Sequence, residues 1–458
     1  MTNRAEDALR WRTAVAAKPS DRIAWHNLAA AEGDLGRVAE AEAAARRAIE
    51  LGLQAPETRL VHARALQSLH RLDDAQRAFE EAVRLRPGYV DAHRDLAQLV
   101  WMRTGDARAA IAALDRAIAA SPAVPGLHWV RSIVLEFAGD REAALASAEA
   151  GLAHAANDRQ LLRQAAHLCI DLGDAPRALE LAARASRAAP AGSAAELATM
   201  CEALLAAGRA SEADGVAEQL VRATPHDQHA LALQATAWRL LGDRRYAALC
   251  DYANLVDVQK LEVPPGYGSL DEFLAVVKAE LEGLHEFHAH PLQQSVRGGS
   301  QLHLQPGDIE RPVLKALFAG ITQAVQRFVA RIGRGTDPLR ARNTGRFGFS
   351  GAWSVRLRSG GHHADHVHPQ GWISSACYIA VPPNVGRDES DHAGWLRLGK
   401  PAIPTLPPLE PERHVRPEPG TLVLFPAYMW HGVEPFDSPS PRLSVAFDIV
   451  PVKQLGSG

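Results

Sequence analysis

The chain has no run of about 18 apolar residues, so no membrane-spanning helix is expected. Cysteine is scarce. Cys169, Cys201, Cys250 and Cys377 are the four present, none in CxxC spacing, which removes a zinc ribbon and a disulfide scaffold and leaves reduced thiols in a cytoplasmic protein. Charge of one sign is also missing. The net charge of −3 gives no basic surface for nucleic acid or anionic membrane, so neither is expected as a partner. The N-terminal stretch MTNRAEDALRWRTAVAAKPSD is charged and has no signal-peptide apolar core, in keeping with a cytoplasmic location. No Gly-rich phosphate loop and no Ser-His-Asp elbow occurs. What remains is a soluble, globular composition, 47% hydrophobic and 22% charged, over 458 residues, enough for two or three cores.

Those residues are divided between two alphabets. Up to about 245 the chain is rich in Ala, Leu, Arg and Glu; from about 250 it carries most of the Pro, Gly, Trp and Phe and many His. The first half repeats. Gly36, His70, Gly105, Gly139, Gly173, Gly208 and Gly242 are spaced by 34, 35, 34, 34, 35 and 34 residues. Ala41, Ala75, Ala110, Ala144, Ala178 and Ala213 keep the same register, and Pro87, Pro122, Pro190 and Pro225 close the second helices. Small residues let paired helices approach, and a turn glycine accepts positive φ. With Trp25 and Leu28 early in the first helix, and with "LGRVAEAEAAARRAIEL" and "LHRLDDAQRAFEEAVRLRP", the pattern resembles the tetratricopeptide repeat. The reading is an α-solenoid over 1–245, six repeats plus a capping helix near 228–242. The resemblance implies a concave face that holds an extended peptide or a partner helix. No repeat shows a basic clamp for a C-terminal carboxylate.

After a linker, 246–268, Ser269 and Glu272 form a capping-box pattern that opens a helix to about His285, and a second helix is expected from about Arg311 to Ile332. Beyond it come short strands: 351–358, 372–381, 395–398, 421–425 and 443–450, separated by Gly and Pro turns such as Ser359-Gly360-Gly361 and Pro419-Gly420. Such spacing predicts a sandwich or barrel over 269–458. The segment Arg297-Gly298-Gly299-Ser300 reads either as a loop over the mouth of a site or as a plain turn.

The chemistry is concentrated in "HHADHVHP". His366 and His368 at i and i+2 point to one face of an extended segment. Closed by the distant His431, they can grip one face of a metal and leave the other open, as non-haem Fe(II) oxygenases do. Arg442, eleven residues after His431, suits an anionic co-substrate because its planar fork matches a carboxylate. His392 and His414 read as surface residues. Trp353, Trp372, Trp395 and Trp430 read as core more than as a substrate cage, and Cys377 as a small buried hydrophobe.

The strings "WSVRLRSGGHHADHVHPQGWISSACYIAVP", "GWLRLGKPA", "VRPEPGTLVLFPAYMWHGVEPFDSPSPRLSVAFDIV" and "HPLQQSVRGGSQ" resemble a bacterial group of 2-oxoglutarate/Fe(II) oxygenases with an HxHP motif, over about 290–452. More distantly they resemble the aspartyl/asparaginyl β-hydroxylases. The resemblance implies a multidomain α + β chain whose C-terminal part is a double-stranded β-helix, or jelly roll, with supporting helices. It also implies Fe(II), 2-oxoglutarate and O2, with hydroxylation coupled to release of succinate and CO2. By the same resemblance His366 and His431 match the metal histidines and Arg442 the residue that binds the distal carboxylate of 2-oxoglutarate. Ser444, at i+2 on the same face, could add a hydroxyl there, and Ser375 and Tyr378 could reach the co-substrate. The usual third ligand is a carboxylate. Three arrangements stay open: His368 completes an all-histidine face, His363 and Asp365 supply a literal HxD, or water takes the third place beside His366 and His431. Asp365 could instead orient a ligand histidine through its second ring nitrogen. The expected activity is hydroxylation of a protein or peptide side chain presented by the repeats. The alternative is a tetratricopeptide scaffold carrying an inactive or cupin-like metal-binding barrel.

Overall fold

The turn position of each repeat carries a positive φ: 72° at Gly36, 59° at His70, 67° at Gly105, 92° at Gly139, 80° at Gly173, 71° at Gly208 and 65° at Gly242. The structure, a computed structural model, describes residues 4–386 and 392–452. The first three residues of the charged N-terminal stretch therefore lie outside it. Helix α1 (Arg4–Ala17) precedes six helix pairs. These are α2 and α3 (Arg22–Asp34, Val38–Glu50), α4 and α5 (Pro56–Ser68, Leu72–Leu85), α6 and α7 (Val90–Thr104, Ala107–Ala120), α8 and α9 (Pro125–Phe137, Arg141–His154), α10 and α11 (Arg159–Asp171, Ala175–Ala188), and α12 and α13 (Ala194–Ala206, Ala210–Ala223). Helix α14 (Gln228–Leu241) follows. The alanines in repeat register, Ala41 to Ala213, are all buried, so each marks a point where two helices touch closely. Asp21, Asp106, Asp140, Asp158, Asp174 and Asp227 cap their helices by accepting main-chain N–H groups of the first turn.

Packing divides the chain into two compact units, Met1–Ala156 and Asn157–Gly458, so helices α10–α14 belong to the unit that also contains the sheet. Within this second unit short helices α15 (Arg245–Leu249) and α16 (Tyr252–Leu255) lead into strand β1 (Asp257–Lys260). The sequence reading places that strand in a linker. It lies there with alternating burial, paired antiparallel to the distant strand Thr421–Pro426, and four residues with a single apolar side chain, Val258, carry too little periodicity to announce it.

Next come α17 (Leu270–Glu282), β2 (Val296–His303), α18 (Pro306–Ile309), α19 (Pro312–Ile332), β3 (Phe347–His366), β4 (Ile373–Ala380), β5 (Leu396–Leu398), β6 (Arg413–Val415), β7 (Thr421–Pro426), β8 (His431–Val433) and β9 (Arg442–Pro451). Ser269 caps α17 by accepting from Glu272 N at 3.1 Å; Glu272 reaches back one residue further than in the usual box, to Gly268 N at 2.9 Å. The stretch 297–300 is part of strand β2. Gly298 (φ 65°) lies against Gly361 and Gly299 against the carbonyl of Arg356, contacts so close that only residues without Cβ let β2 approach β3.

All strands pair antiparallel in the order β1-β7-β4-β9-β3-β8-β5-β6, with β2 on β3. The first half of β3 pairs with β9 and its last residues pair with β8, so this strand carries the chain from one side of the curled sheet to the other. The result is a jelly-roll-like domain. One face of β9 (Leu443, Val445, Phe447, Ile449) joins Cys377, Ile379, Leu422 and Leu424 in a core with Phe273, Val277 and Leu281 of α17 and Phe318, Ile321, Val325 and Phe328 of α19. Trp372 and Cys377 are fully buried, as expected of core residues. No helix among the described residues is long and apolar enough to cross a membrane.

Helix α14 is also packed on the barrel. Gln228 N donates to Pro369 O (3.0 Å), Trp430 Nε1 donates to Thr236 Oγ1 (2.9 Å), and Arg239 donates to the carbonyls of Gly399 and Glu410 (2.8 and 2.9 Å). Thr236→Val keeps the shape but leaves the buried indole N–H without an acceptor. It should cost about 1–3 kcal/mol in denaturant unfolding. Adding Trp430→Phe should recover part of that loss, and a double variant less stable than the sum of the singles would count against the bond.

Candidate metal centre

The β3–β8 register sets His366 directly opposite His431, and a bulge between His363 and His366 turns the intervening residues out of simple alternation. Just past β3, His368 N donates to Ala427 O at 3.2 Å, which fixes the HxHP turn on the loop before His431. The rings of His366 and His431 are 4.1 Å apart, with His368 at 5.0 and 5.1 Å from them. One ring nitrogen from each of these three residues falls within 4.8 Å of the other two, the spacing of a shared ion. They are the one such group among the described residues.

The other ring nitrogens are committed. Nδ1 of His366 lies 2.9 Å from Ala364 O, Nδ1 of His431 lies 2.9 Å from Met429 O, and Nδ1 of His368 lies 2.5 Å from Asp448 Oδ2. A carbonyl or carboxylate oxygen only accepts, so each Nδ1 carries a proton. Burial, with neighbouring His368, holds His366 down to about 3, and burial with His366 and His368 holds His431 well below 6.5. His366 and His431 are thus held in the neutral form that a divalent metal requires of an imidazole ligand.

The alternative ligand pair is not assembled. Asp365 is held by Arg397 through Nε and Nη2 (2.7 and 2.9 Å), its carboxylate passing over Gly432 where a Cβ would not fit. Burial raises its pKa, and Arg397 offsets this. Arg397 also donates to Glu434 (2.7 Å), and His414 lies against Glu434 (3.5 Å) with His392 stacked on it at 3.9 Å, so these two histidines belong to a partly buried ionic cluster. His363 faces Ser295 (3.0 Å) and stacks on His366 at 5.9 Å, outside the three-histidine group. The sequence signal for the difference was the length of the bulge, which no motif reports.

Arg442 opens β9 and is 2% exposed. Its guanidinium lies 4.8 Å over the ring of Tyr378, and its Nε and Nη1 have no acceptor among the described residues. Burial lowers its pKa, with Tyr378 offsetting part of the effect. A buried, unneutralised guanidinium is costly, and an anion bound there would supply the missing acceptors. Ser444 lies two residues on, paired with Tyr378 and Val355 in the sheet, and therefore on the same face as Arg442. Ser375 is on the opposite face, its hydroxyl donating to Phe447 O and accepting from Phe447 N (both 2.9 Å), which removes it from the site. Two neighbours escaped the sequence reading: Asp448, and Phe425, whose ring meets His431 edge-on at 4.7 Å. The half-buried Trp353 stands edge-on to His368 at 6.0 Å, nearer the site than a core role suggests.

Residues 351–448, which contain all three histidines and Arg442, match the family described as "Putative 2OG-Fe(II) oxygenase", and residues 23–51 and 60–125 match families described as "Tetratricopeptide repeat". The chain thus carries tetratricopeptide repeats in its N-terminal part and a domain of the 2OG-Fe(II) oxygenase family in its C-terminal part. No curated protein matches the chain significantly. Among solved structures it is similar to the Cut9-Hcn1 complex of the APC/C, at 15% identity, TM-score 0.37, over 51% of this chain and 46% of that one. Pseudomonas aeruginosa pilF is similar at 16% identity, TM-score 0.36, over 48% and 99%. The pilus biogenesis factor PilW is similar at 19% identity, TM-score 0.38, over 46% and 97%.

The depressed pKa of His366 has a definite sign. The unfolded chain binds a proton near 6.5 that the fold refuses until about 3, so stability present above 6.5 is lost as pH falls through that window. The metal-free His366→Gln variant should lose less stability between pH 6.5 and 4 than the parent, read from urea midpoints. Parallel curves would contradict the burial of a neutral ring. Asp365→Asn should leave metal affinity within a few-fold, since Asp365 serves Arg397, while lowering the unfolding temperature; a lost metal site would restore Asp365 as a ligand.

Proposed function

We propose that the C-terminal domain is a 2-oxoglutarate- and Fe(II)-dependent dioxygenase that hydroxylates a side chain of a protein or peptide. The observation that supports this reading best is the pairing, on one barrel, of three convergent histidines with a buried guanidinium whose Nε and Nη1 have no acceptor among the described residues. His366, His368 and His431 would hold the iron, and Arg442, backed by Tyr378 and Ser444, would hold the distal carboxylate of 2-oxoglutarate. A bound Fe(II) would supply the activation of O2 for attack on a C–H bond. The chain's own residues supply the rest: carbonyls and a carboxylate keep protons on Nδ1, Phe425 and Trp353 wall the histidines, and the buried Arg442 anchors charge away from water.

A peptide substrate is favoured by the repeats, because an α-solenoid presents a face suited to extended chains. Helix α14, the last of that array, touches Pro369 beside His368 and Trp430 beside His431, so the array ends at the loops that carry the histidines.

Anaerobic titration with Fe(II) and then 2-oxoglutarate should produce the weak visible charge-transfer band of a chelated 2-oxo acid. His431→Ala should abolish it. Arg442→Ala should raise the 2-oxoglutarate concentration needed by 10-fold or more, an effect of about 1.4 kcal/mol or greater, while changing iron affinity little. Iron bound without any band would favour a cupin-like metal site, and equal effects of Arg442→Ala on iron and on 2-oxoglutarate would remove its assigned role.

A further inference from the structure

The three histidines differ in what holds them. His366 and His431 donate to main-chain carbonyls, whereas His368 donates to a carboxylate, Asp448 Oδ2, at 2.5 Å. Asp448 lies on β9, 6% exposed, in register with Ser374, whose hydroxyl donates to Asp448 Oδ1 at 2.6 Å. Among the described residues its ion-pair partner is His368. The other acids nearby, Asp365 and Glu434, are both held by Arg397. The carboxylate of Asp448 thus reaches the histidine cluster through the ring of His368. Trp353 also packs at right angles to this ring, 6.0 Å between centroids.

We propose that Asp448 is a positioning residue that gives the metal centre, by way of His368, the carboxylate that its three histidine ligands do not themselves provide. This rests on the reading of His366, His368 and His431 as metal ligands. A carboxylate accepting from Nδ1 polarises the imidazole toward imidazolate, raising the basicity of Nε2 and offsetting charge on a divalent ion. In this chain the histidine and the carboxylate have exchanged places: His368 stands where an acid would touch the metal directly, and the acid stands behind it. Ser374 keeps the carboxylate from rotating away. The carboxylate is held by two groups at once, so the effect belongs to the fold and needs no rearrangement on binding.

Co(II) affinity, measured on the full chain by chelator competition, with the visible Co(II) spectrum and the unfolding temperature, tests this. Asp448→Asn retains an acceptor for Nδ1 but removes the charge. It should weaken Co(II) binding by about 10- to 100-fold and alter the Co(II) bands. Ser374→Ala should give a smaller loss in the same direction. Placing an acid directly at the metal, as His368→Asp in the Asp448→Asn background, should recover most of the affinity; a purely structural role for Asp448 would not be rescued this way. Asp448→Asn within twofold of the parent, or a double variant no tighter than Asp448→Asn, overturns the proposal while His431→Ala still loses the metal. If Asp448→Asn fails to fold, Ser374→Ala carries the test, and unchanged Co(II) affinity there overturns the proposal. A parent chain that binds no Co(II) overturns both this and the metal reading.

Discussion

One strand carries both the hydrophobic core and the polar chemistry of the barrel. Side chains of β9 alternate: Leu443, Val445, Phe447 and Ile449 pack on α17 and α19, while Arg442, Ser444 and Asp448 face the other way, toward Tyr378, Ser374 and the histidines. Because the side-chain period is two, a slip of one residue would send Arg442 and Asp448 into the helix-covered core and Phe447 into the site. The pairing of β9 with β3 over ten positions, and with β4 on its other edge, forbids that slip. Core packing and site geometry are thus one requirement. The apolar face pins the register, and the register places the guanidinium and the carboxylate.

The parts of this arrangement that a reader of the sequence can see are those with a repeating period or a short-range motif. The 34-residue spacing of turn residues reports the helix pairs because each turn needs positive φ, and even His70 obeys it at 59°. His366, His368 and His431 are visible because i and i+2 share a face and "HGV" opens a strand. Arg442 is visible from its place at the head of an alternating segment. Asp448 was equally available in principle: in "RLSVAFDIV" it shares the parity of Arg442 and Ser444, a lone acid in an apolar run. It went unremarked because its partner His368 is 80 residues away. Asp365 misled for the converse reason. It has the right spacing from His363, but it is held by Arg397, which lies on a different strand 32 residues away.

Strands β1 and β2 were hidden for a further reason. Each is stabilised by what it lies against: β1 by β7, and β2 by the glycine-lined approach to Gly361 and Arg356. Neither carries local alternation strong enough to compete with its turn-like composition. Long-range pairing overrides propensity at such places, and glycine, which reads as a loop in one dimension, serves here as the space into which a neighbouring strand fits.

The pairing of β1 with β7 bears on how the barrel could be cut out and studied alone. β7 (Thr421–Pro426) is buried along its whole length and takes β4 on one edge and β1 on the other. An excision at residue 269 would strip β1 away and bare a row of main-chain donors and acceptors on an apolar strand, a template for edge-to-edge self-association. The excised fragment has to begin ahead of Asp257, and Trp430 keeps its acceptor only if α14 travels with it. For this chain the natural place to separate the pieces is the boundary of packing at Ala156, well inside the repeats, and not the change of amino-acid alphabet near 245.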